Sequence, residues 1–405
     1  MHTFTGSKLE MYDRLIKKSL KRYTKFPVIA LLGPRQSGKT TLAQNTFAKH
    51  TYINFEHEPT RSFAQTDPEG LLALYENKHG IIIDEFQYVP NILSYIQIAV
   101  DEKKRPGYFI LTGSQNFLAN QAITQSLAGR VGILNLFPLS IKELTQNKLI
   151  FTNVDKIIFA GGYPRVYDNK IDPAKFYPSY IQTYVERDVR QIVKIGELTT
   201  FQKFLQLCAS NIGQQLNITL LASQCGITFQ VASSWLSLLQ ASYIIFPLEP
   251  HFRNFNKRLT KTPKIYFFDT GLACSLLRIT SYEQLALHPL RPSLFESFII
   301  ADLYKQYANA SLRPSLYFWR DLNGRYEIDC ILDEGVQLYP VEIKSGKTIV
   351  SEFYKAINYW KELAQSQAGT AYIIYGGNLE QPRKEGTVLG WKSAGSLIDK
   401  VQRKK

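Results

Sequence analysis

An α/β fold built on a parallel sheet is what the first third of this 405-residue chain predicts, on three observations. An apolar run, Val28-Ile29-Ala30-Leu31-Leu32, leads straight into Gly33-Pro34-Arg35-Gln36-Ser37-Gly38-Lys39-Thr40. A second apolar run, Ile81-Ile82-Ile83, ends in Asp84-Glu85. Helical segments separate these runs from each other and from two further strand-like runs, Tyr52 to Glu56 and Tyr108 to Leu111. Strands that are apolar throughout are buried on both faces, and their alternation with helices gives a parallel sheet sandwiched in three layers.

The first element carries chemistry. Residues Gly33 to Thr40 fit G-x-x-x-x-G-K-[ST] at every fixed position, after a strand and before a segment, Thr41-Leu42-Ala43-Gln44, that continues as a helix. Glycines at both ends let successive N–H groups of Pro34, Arg35, Gln36, Ser37 and Gly38's stretch curl around phosphates, apart from proline itself, which has none. The helix N-terminus adds positive potential, and Lys39 brings a mobile point charge. Thr40 offers a hydroxyl to Mg²⁺. The motif therefore predicts binding of ATP or GTP.

The second element completes a hydrolytic set. A buried parallel strand delivers its side chains at its C-terminal edge, so Asp84 is expected in the Mg²⁺ shell and Glu85 beside the attacking water. The strand Tyr108 to Leu111 ends in Thr112-Gly113-Ser114-Gln115, which places Ser114 and Gln115 to sense the terminal phosphate. The first domain is drawn at residues 1–145, with a basic N-terminal helix.

The middle region, 146–285, changes periodicity. Ile218 to Cys225 reads as a short helix, Gly226 as a turn, and Thr228 as the cap of a second helix from Phe229 to Leu239, with Val231, Trp235, Leu238 and Leu239 on one face. Two strands follow, Tyr243 to Phe246 and Lys264 to Phe268, around a stretch holding Arg253, Lys257, Arg258 and Lys261. Helix-turn-helix and a hairpin with a positive tip is the layout of a winged helix. Gln230, Ser233 and Ser234 would face bases and the basic tip would face phosphates.

The last region, 286–405, holds Glu296 in a helical segment, Asp329 in the strand Tyr326 to Leu332, and Glu342 with Lys344 in the strand Tyr339 to Lys344. Strand period two puts Glu342 and Lys344 on one face and Val341 and Ile343 on the other. Asp329 and Glu342 on neighbouring strands are expected to share a metal ion, with Lys344 steering the water.

Composition sets the class of partner. The formal charge of +14 favours a polyanion, DNA above all, and residues 1–25 hold seven of the basic side chains. Four scattered cysteines without a C-x-x-C pair, no apolar leader and no long apolar stretch are those of a cytoplasmic protein without a membrane segment.

Gly33–Thr40, Ile81–Gln87, Leu111–Gln115 and Leu127-Ala128-Gly129-Arg130 together resemble the AAA-type ATPases of bacteria and archaea, over roughly residues 20 to 145. That resemblance implies an arginine reaching the γ-phosphate from the same chain or a neighbour, with Arg130 as the candidate, and in the second case an oligomer. Gly161-Gly162-Tyr163-Pro164, Tyr184 to Val189 with Arg187 and Asp188, and Phe267 to Leu272 resemble a subfamily whose ATPase is followed by a domain of poorly known function. Glu296, Asp329, Glu342 and Lys344 resemble the restriction-endonuclease-like superfamily, although Ile328 stands where a proline often precedes the first acid. Two functions follow as expectations: an ATP-driven enzyme acting on DNA with a C-terminal nuclease site, or an ATP-dependent switch acting on a protein partner with that site inert.

Overall fold

The computed structural model describes residues 12–114, 123, 126–168, 170–185, 198–251, 262–321 and 323–402. Five strands, β1 (Val28–Gly33), β2 (Thr51–Asn54), β3 (Ile81–Asp84), β4 (Phe109–Ser114) and β5 (Val131–Asn135), form one sheet in the order β2-β3-β4-β1-β5. Every pairing in it is parallel. Alternation along each strand divides the core in two. Val28, Ala30 and Leu32 pack on one side with Ile81, Ile83, Phe109 and Leu111, while Ile29, Leu31, Ile82 and Ile110 pack on the other. Both faces are covered, so the strands are apolar throughout.

The parallel register brings the C-terminal ends together. Gly33 lies beside Ser114, and Asp84 beside Thr112. The turn after β1 and the carboxylates after β3 therefore meet on one edge, as the order of motifs predicts.

A second sheet of eight strands holds β6 (Ile245–Pro250), β7 (Lys264–Phe267), β8 (Leu316–Arg320), β9 (Glu327–Asp333), β10 (Leu338–Lys344), β11 (Tyr372–Tyr375), β12 (Glu380–Pro382) and β13 (Thr387–Gly390) in the order β12-β13-β11-β10-β9-β8-β6-β7. The helix pair expected before it is present as Ile218–Cys225 and Phe229–Ala241. Asn217 caps the first through the Leu220 amide, Gly226 ends it at φ 69°, and Thr228 caps the second. The hairpin of the expected winged helix is not a free wing. The first strand begins at Ile245 rather than Tyr243, pairs with β7 on one side and runs parallel to β8 on the other. Its tip, with Arg253, Lys257, Arg258 and Lys261, lies outside the described residues, as do Arg187 and Asp188.

One hydrophobic cluster runs from Phe137 through Phe204, Trp235, Phe246, Phe268 and Phe295 to Val401, so the core is continuous across residue 285. The 19-residue helix Arg291–Asn309 threads it. The N-terminal segment docks on the same helix: Ser19 Oγ donates to the Asn309 carbonyl at 2.9 Å, and Arg22 to the Ala310 carbonyl at 3.3 Å. All four cysteines are free thiols. Among the described residues no helix is long and apolar enough to cross a membrane.

Candidate functional site

The turn after β1 has the backbone of an anion cradle. Gln36 and Gly38 take positive φ, 60° and 93°, and the helix Lys39–Thr46 starts directly behind them. Gly33 is required for packing, since a Cβ there would sit 2.1 Å from the Leu136 carbonyl oxygen. Lys39 Nζ donates to the Gly33 and Pro34 carbonyls at 3.0 and 2.8 Å, which curls the loop around its own lysine. Arg35 stands at the mouth, 3.6 Å from Glu56 and 3.5 Å from the Tyr88 hydroxyl.

Asp84 is buried and accepts from three neutral hydroxyls. Thr40 lies 3.1 and 2.9 Å from its two oxygens, Tyr52 donates at 2.8 Å, and Thr112 donates as well. Burial first, and the Asp84 charge second, raise the Tyr52 hydroxyl above its ordinary range and keep it a donor. Glu85 sits at φ 55° and is held by Gln87 and, at 3.3 Å, by Ser114 Oγ; Gln87 Nε2 also donates to Ser114 at 3.1 Å. Thr40, Asp84, Glu85 and Ser114 are thus brought together, while Gln115 lies outside the described residues.

The residues present fit a nucleoside triphosphate with Mg²⁺. The buried Ser37 Oγ of the cradle has no hydrogen-bond partner among the described residues. Thr40 and Asp84 present a hydroxyl and a carboxylate to one point, as a hard cation requires.

Arg130 does not join these residues. It lies just before β5, at the N-terminal edge of the sheet, where its carbonyl accepts from the Val28 amide. About six strand steps, or roughly 20 Å, separate it from Gly33, so it does not reach the loop of its own chain. Its guanidinium instead pairs with Asp101 through two contacts of 2.6 and 2.8 Å.

In the eight-stranded sheet the expected acids also converge, with company the sequence did not announce. Lys344 Nζ lies 2.6 Å from Glu342 and 3.5 Å from Asp329, whose other bond is from the Ile343 amide at 2.7 Å. Lys264 of β7, only 5% exposed, pairs with Glu327 and reaches Glu296 at 3.4 Å; Tyr266 donates to Glu296 too. Burial and then the Asp329 charge push Glu296 up to about 7 and Glu342 up to about 8. Lys264 and Lys344 are raised, because the surrounding carboxylates outweigh the effect of burial. Among the described residues no group of three or more histidine, cysteine, aspartate or glutamate side chains is arranged to hold a metal ion. Lys344 lies against both Asp329 and Glu342, while the buried Glu342 Oε2 has no hydrogen-bond partner among the described residues.

Sequence reasoning missed Tyr52, Thr112 and Gln87 at the first site and Lys264, Tyr266 and Glu327 at the second. Thr112 was legible from strand alignment with Asp84. Nothing local marks Lys264, which is 32 residues from Glu296 in sequence.

A family profile described as "AAA domain" matches residues 25–145, and two described as domains of unknown function, DUF8612 and DUF4143, match 152–283 and 292–393. An uncharacterized protein of Mycobacterium tuberculosis is 30% identical over 326 residues, which are 80% of this chain and 71% of that protein. An uncharacterized protein of Mycobacterium bovis gives the same figures. Among solved structures, the Walker-type ATPase of Pyrococcus abyssi superposes with a TM-score of 0.46 at 15% identity, covering 66% of this chain and 97% of that one. The chain belongs to the family of these two mycobacterial proteins, and its first third is an AAA-type P-loop domain.

Proposed function

We propose, with that family membership as the premise, that the protein binds and hydrolyses ATP with Mg²⁺ and acts on DNA, and that its C-terminal acid cluster does not cut. The observation that carries the first part is the meeting of Thr40 with Asp84 at 2.9 Å, directly behind a loop in which Gln36 and Gly38 are left-handed.

Lys39 and the loop amides would hold the phosphates, and Thr40 and Asp84 the metal. Bound Mg²⁺ supplies charge neutralisation at the phosphoryl oxygens. Glu85 is the base for water. Gln87 and Ser114 both donate to its Oε2 and orient the carboxylate, which leaves Oε1 to take the proton. Tyr52 and Thr112 keep Asp84 oriented. Arg130, removed by distance from its own loop, serves a neighbouring subunit in this reading, and we take the active form to be a homo-oligomer. Phosphate release measured with ATP and with GTP, with and without Mg²⁺, tests this reading. Turnover independent of Mg²⁺ removes it.

The DNA part is supported by the net charge of +14. Arg14, one of the seven N-terminal basic residues, is buried against Glu143 and leaves that tally. DNA affinity that falls steeply with salt is the expected result; salt-insensitive ATPase stimulation by a protein partner supports the switch instead. Incubation of plasmid DNA with Mg²⁺ or Mn²⁺ is expected to give no cleavage, since among the described residues no group of three or more histidine, cysteine, aspartate or glutamate side chains is arranged to hold a metal ion.

A further inference from the structure

The N-terminal basic run contains one arginine that behaves unlike the rest. Arg14 is 6% exposed and spends its donors on three partners from three parts of the chain. Nη1 donates to the Ser37 carbonyl at 2.8 Å, Nη2 to the Phe137 carbonyl at 2.6 Å, and Nε to Glu143 Oε1 at 3.0 Å. Glu143 is itself a closed hub. Its Oε1 also accepts from the Leu15 amide at 3.0 Å, and its Oε2 from the Ser140 amide and hydroxyl at 2.9 and 3.0 Å. Burial pushes this carboxyl upward, but the Arg14 charge and these bonds outweigh it, so Glu143 is held below its ordinary range and stays ionised.

The consequence lies in the peptide unit that Arg14 grips. The Ser37 carbonyl and the Gly38 amide share one planar trans peptide, so they point in opposite directions. Fixing that carbonyl against Arg14 fixes the Gly38 N–H on the other side. Gln36 and Gly38 take positive φ to either side of Ser37, the alternation by which successive loop amides form a concavity for an anion. A loop peptide free to flip would turn a carbonyl dipole at the phosphates instead.

We propose that Arg14 is a positioning residue of the phosphate-binding loop, held in place by Glu143, and that it sets the phosphate affinity of the site. The arrangement reaches further. The Ile141 amide, next to the Ser140 cap, donates to Asp302 at 2.6 Å on the helix Arg291–Asn309, which also bears Glu296. Asp302 accepts from Gln306 at 2.8 Å, and Gln306 bonds the Ala394 carbonyl and the Ile398 amide at 2.8 and 3.0 Å. The loop is thus tied by an unbroken polar path to the C-terminal helices.

The inference rests on the nucleotide-binding reading, and the test separates the two. Binding of fluorescent ATP, ADP and adenosine is measured on the full chain for wild type, Arg14→Met, Arg14→Lys and Lys39→Ala, with thermal melting in the absence of nucleotide. Wild type that binds ATP no better than Lys39→Ala overturns the reading and the proposal with it. If wild type binds, Arg14→Met is expected to lose about ten-fold or more in ATP affinity, in line with a charged hydrogen bond, with little change for adenosine. Arg14→Lys, which keeps the cation and the fold, is expected to recover part of that loss. A folded Arg14→Lys and a folded Arg14→Met that bind ATP as wild type does, or that lose adenosine and ATP equally, overturn the proposal. Should Arg14→Met not fold, an ATP-specific loss in Arg14→Lys supports it and its absence overturns it.

Discussion

Two sites in this protein are built from buried carboxylates and lysines, and they neutralise those carboxylates in different ways. At the edge of the parallel sheet Asp84 accepts from the hydroxyls of Thr40, Tyr52 and Thr112, and Glu85 from Gln87 and Ser114. Lys39 meanwhile bonds carbonyls of its own loop. In the eight-stranded sheet Lys264 and Lys344 pair directly with Glu296, Glu327, Asp329 and Glu342. Neutral donors orient an acid without cancelling its charge, so the first site still attracts a cation and an anion from outside. Ammonium groups offset it, so the negative charge of the second site, four carboxylates against two lysines, is compensated in part from inside. Residue type alone does not distinguish the two.

The largest expected effect falls on the first site. Lys39→Ala removes the point charge of the cradle and is expected to abolish measurable ATP binding; retained affinity in equilibrium dialysis would sink the assignment of the loop. Glu85→Gln is next. It keeps the hydrogen bonds to Gln87 and Ser114 nearly intact but removes the base, so turnover is expected to fall about 10² to 10⁴-fold while ATP binding stays. Unchanged phosphate release would take Glu85 out of the mechanism.

A pair of substitutions then sets the sites against each other. Lys264→Met leaves Glu296 without its cation and Glu327 with Arg320 alone, and is expected to cost about 3 kcal/mol in denaturant unfolding. Asp84→Asn removes a charge held only by hydroxyls and is expected to lose hydrolysis with a stability change under about 1 kcal/mol. Equal losses of stability would erase the distinction between structural and functional acids.

The pH dependence sharpens it further. Glu296 and Glu342 stand near 7 and 8 in the fold against 4.5 ordinarily. Between those values the folded chain holds protons that the unfolded chain has released, so stability is full below about pH 4.5 for these groups. It falls as pH rises through 7 and 8, by at most about 1.4 kcal/mol per pH unit for each proton. Melting temperatures from pH 5.5 to 8.5 should decline, and Glu342→Gln should flatten the slope; an identical slope in that variant would remove Glu342 as its source. The smallest effect is at Arg130, whose exposed pair with Asp101 is screened by solvent and contributes little. Arg130→Ala should leave the melting temperature within a degree or two while lowering any ATPase activity that rises with protein concentration.

The nucleotide site was legible because its parts are local. Four consecutive strands deliver their ends to one edge of a parallel sheet, so Gly33, Lys39, Thr40, Asp84, Glu85 and Ser114 each announce themselves by following an apolar run. The converging acids of β9 and β10 were legible for the same reason, as neighbouring strands of period two. What escaped were contacts between distant segments. Arg14 looked like one more charge in a basic run until Glu143, 129 residues away, closed on it. Gly161 and Gly162 had no physical role in the sequence. In the fold the Gly162 amide donates to Asp269 at 2.7 Å, and a Cβ on Gly161 would meet the Tyr177 hydroxyl at 2.0 Å and Asp269 at 2.3 Å.

By itself, then, the sequence determined the parallel sheet, the phosphate-binding turn and the carboxylates that follow it. Each depends on periodicity and on backbone conformations that a few residues dictate. Only the tertiary structure decided that the hairpin after the helix pair is part of the eight-stranded sheet, that Arg130 faces away from its own loop, and that Lys264 meets Glu296 and Glu327. Those outcomes turn on which distant charges a continuous core brings within a few ångströms, where the loss of water makes each pairing decisive.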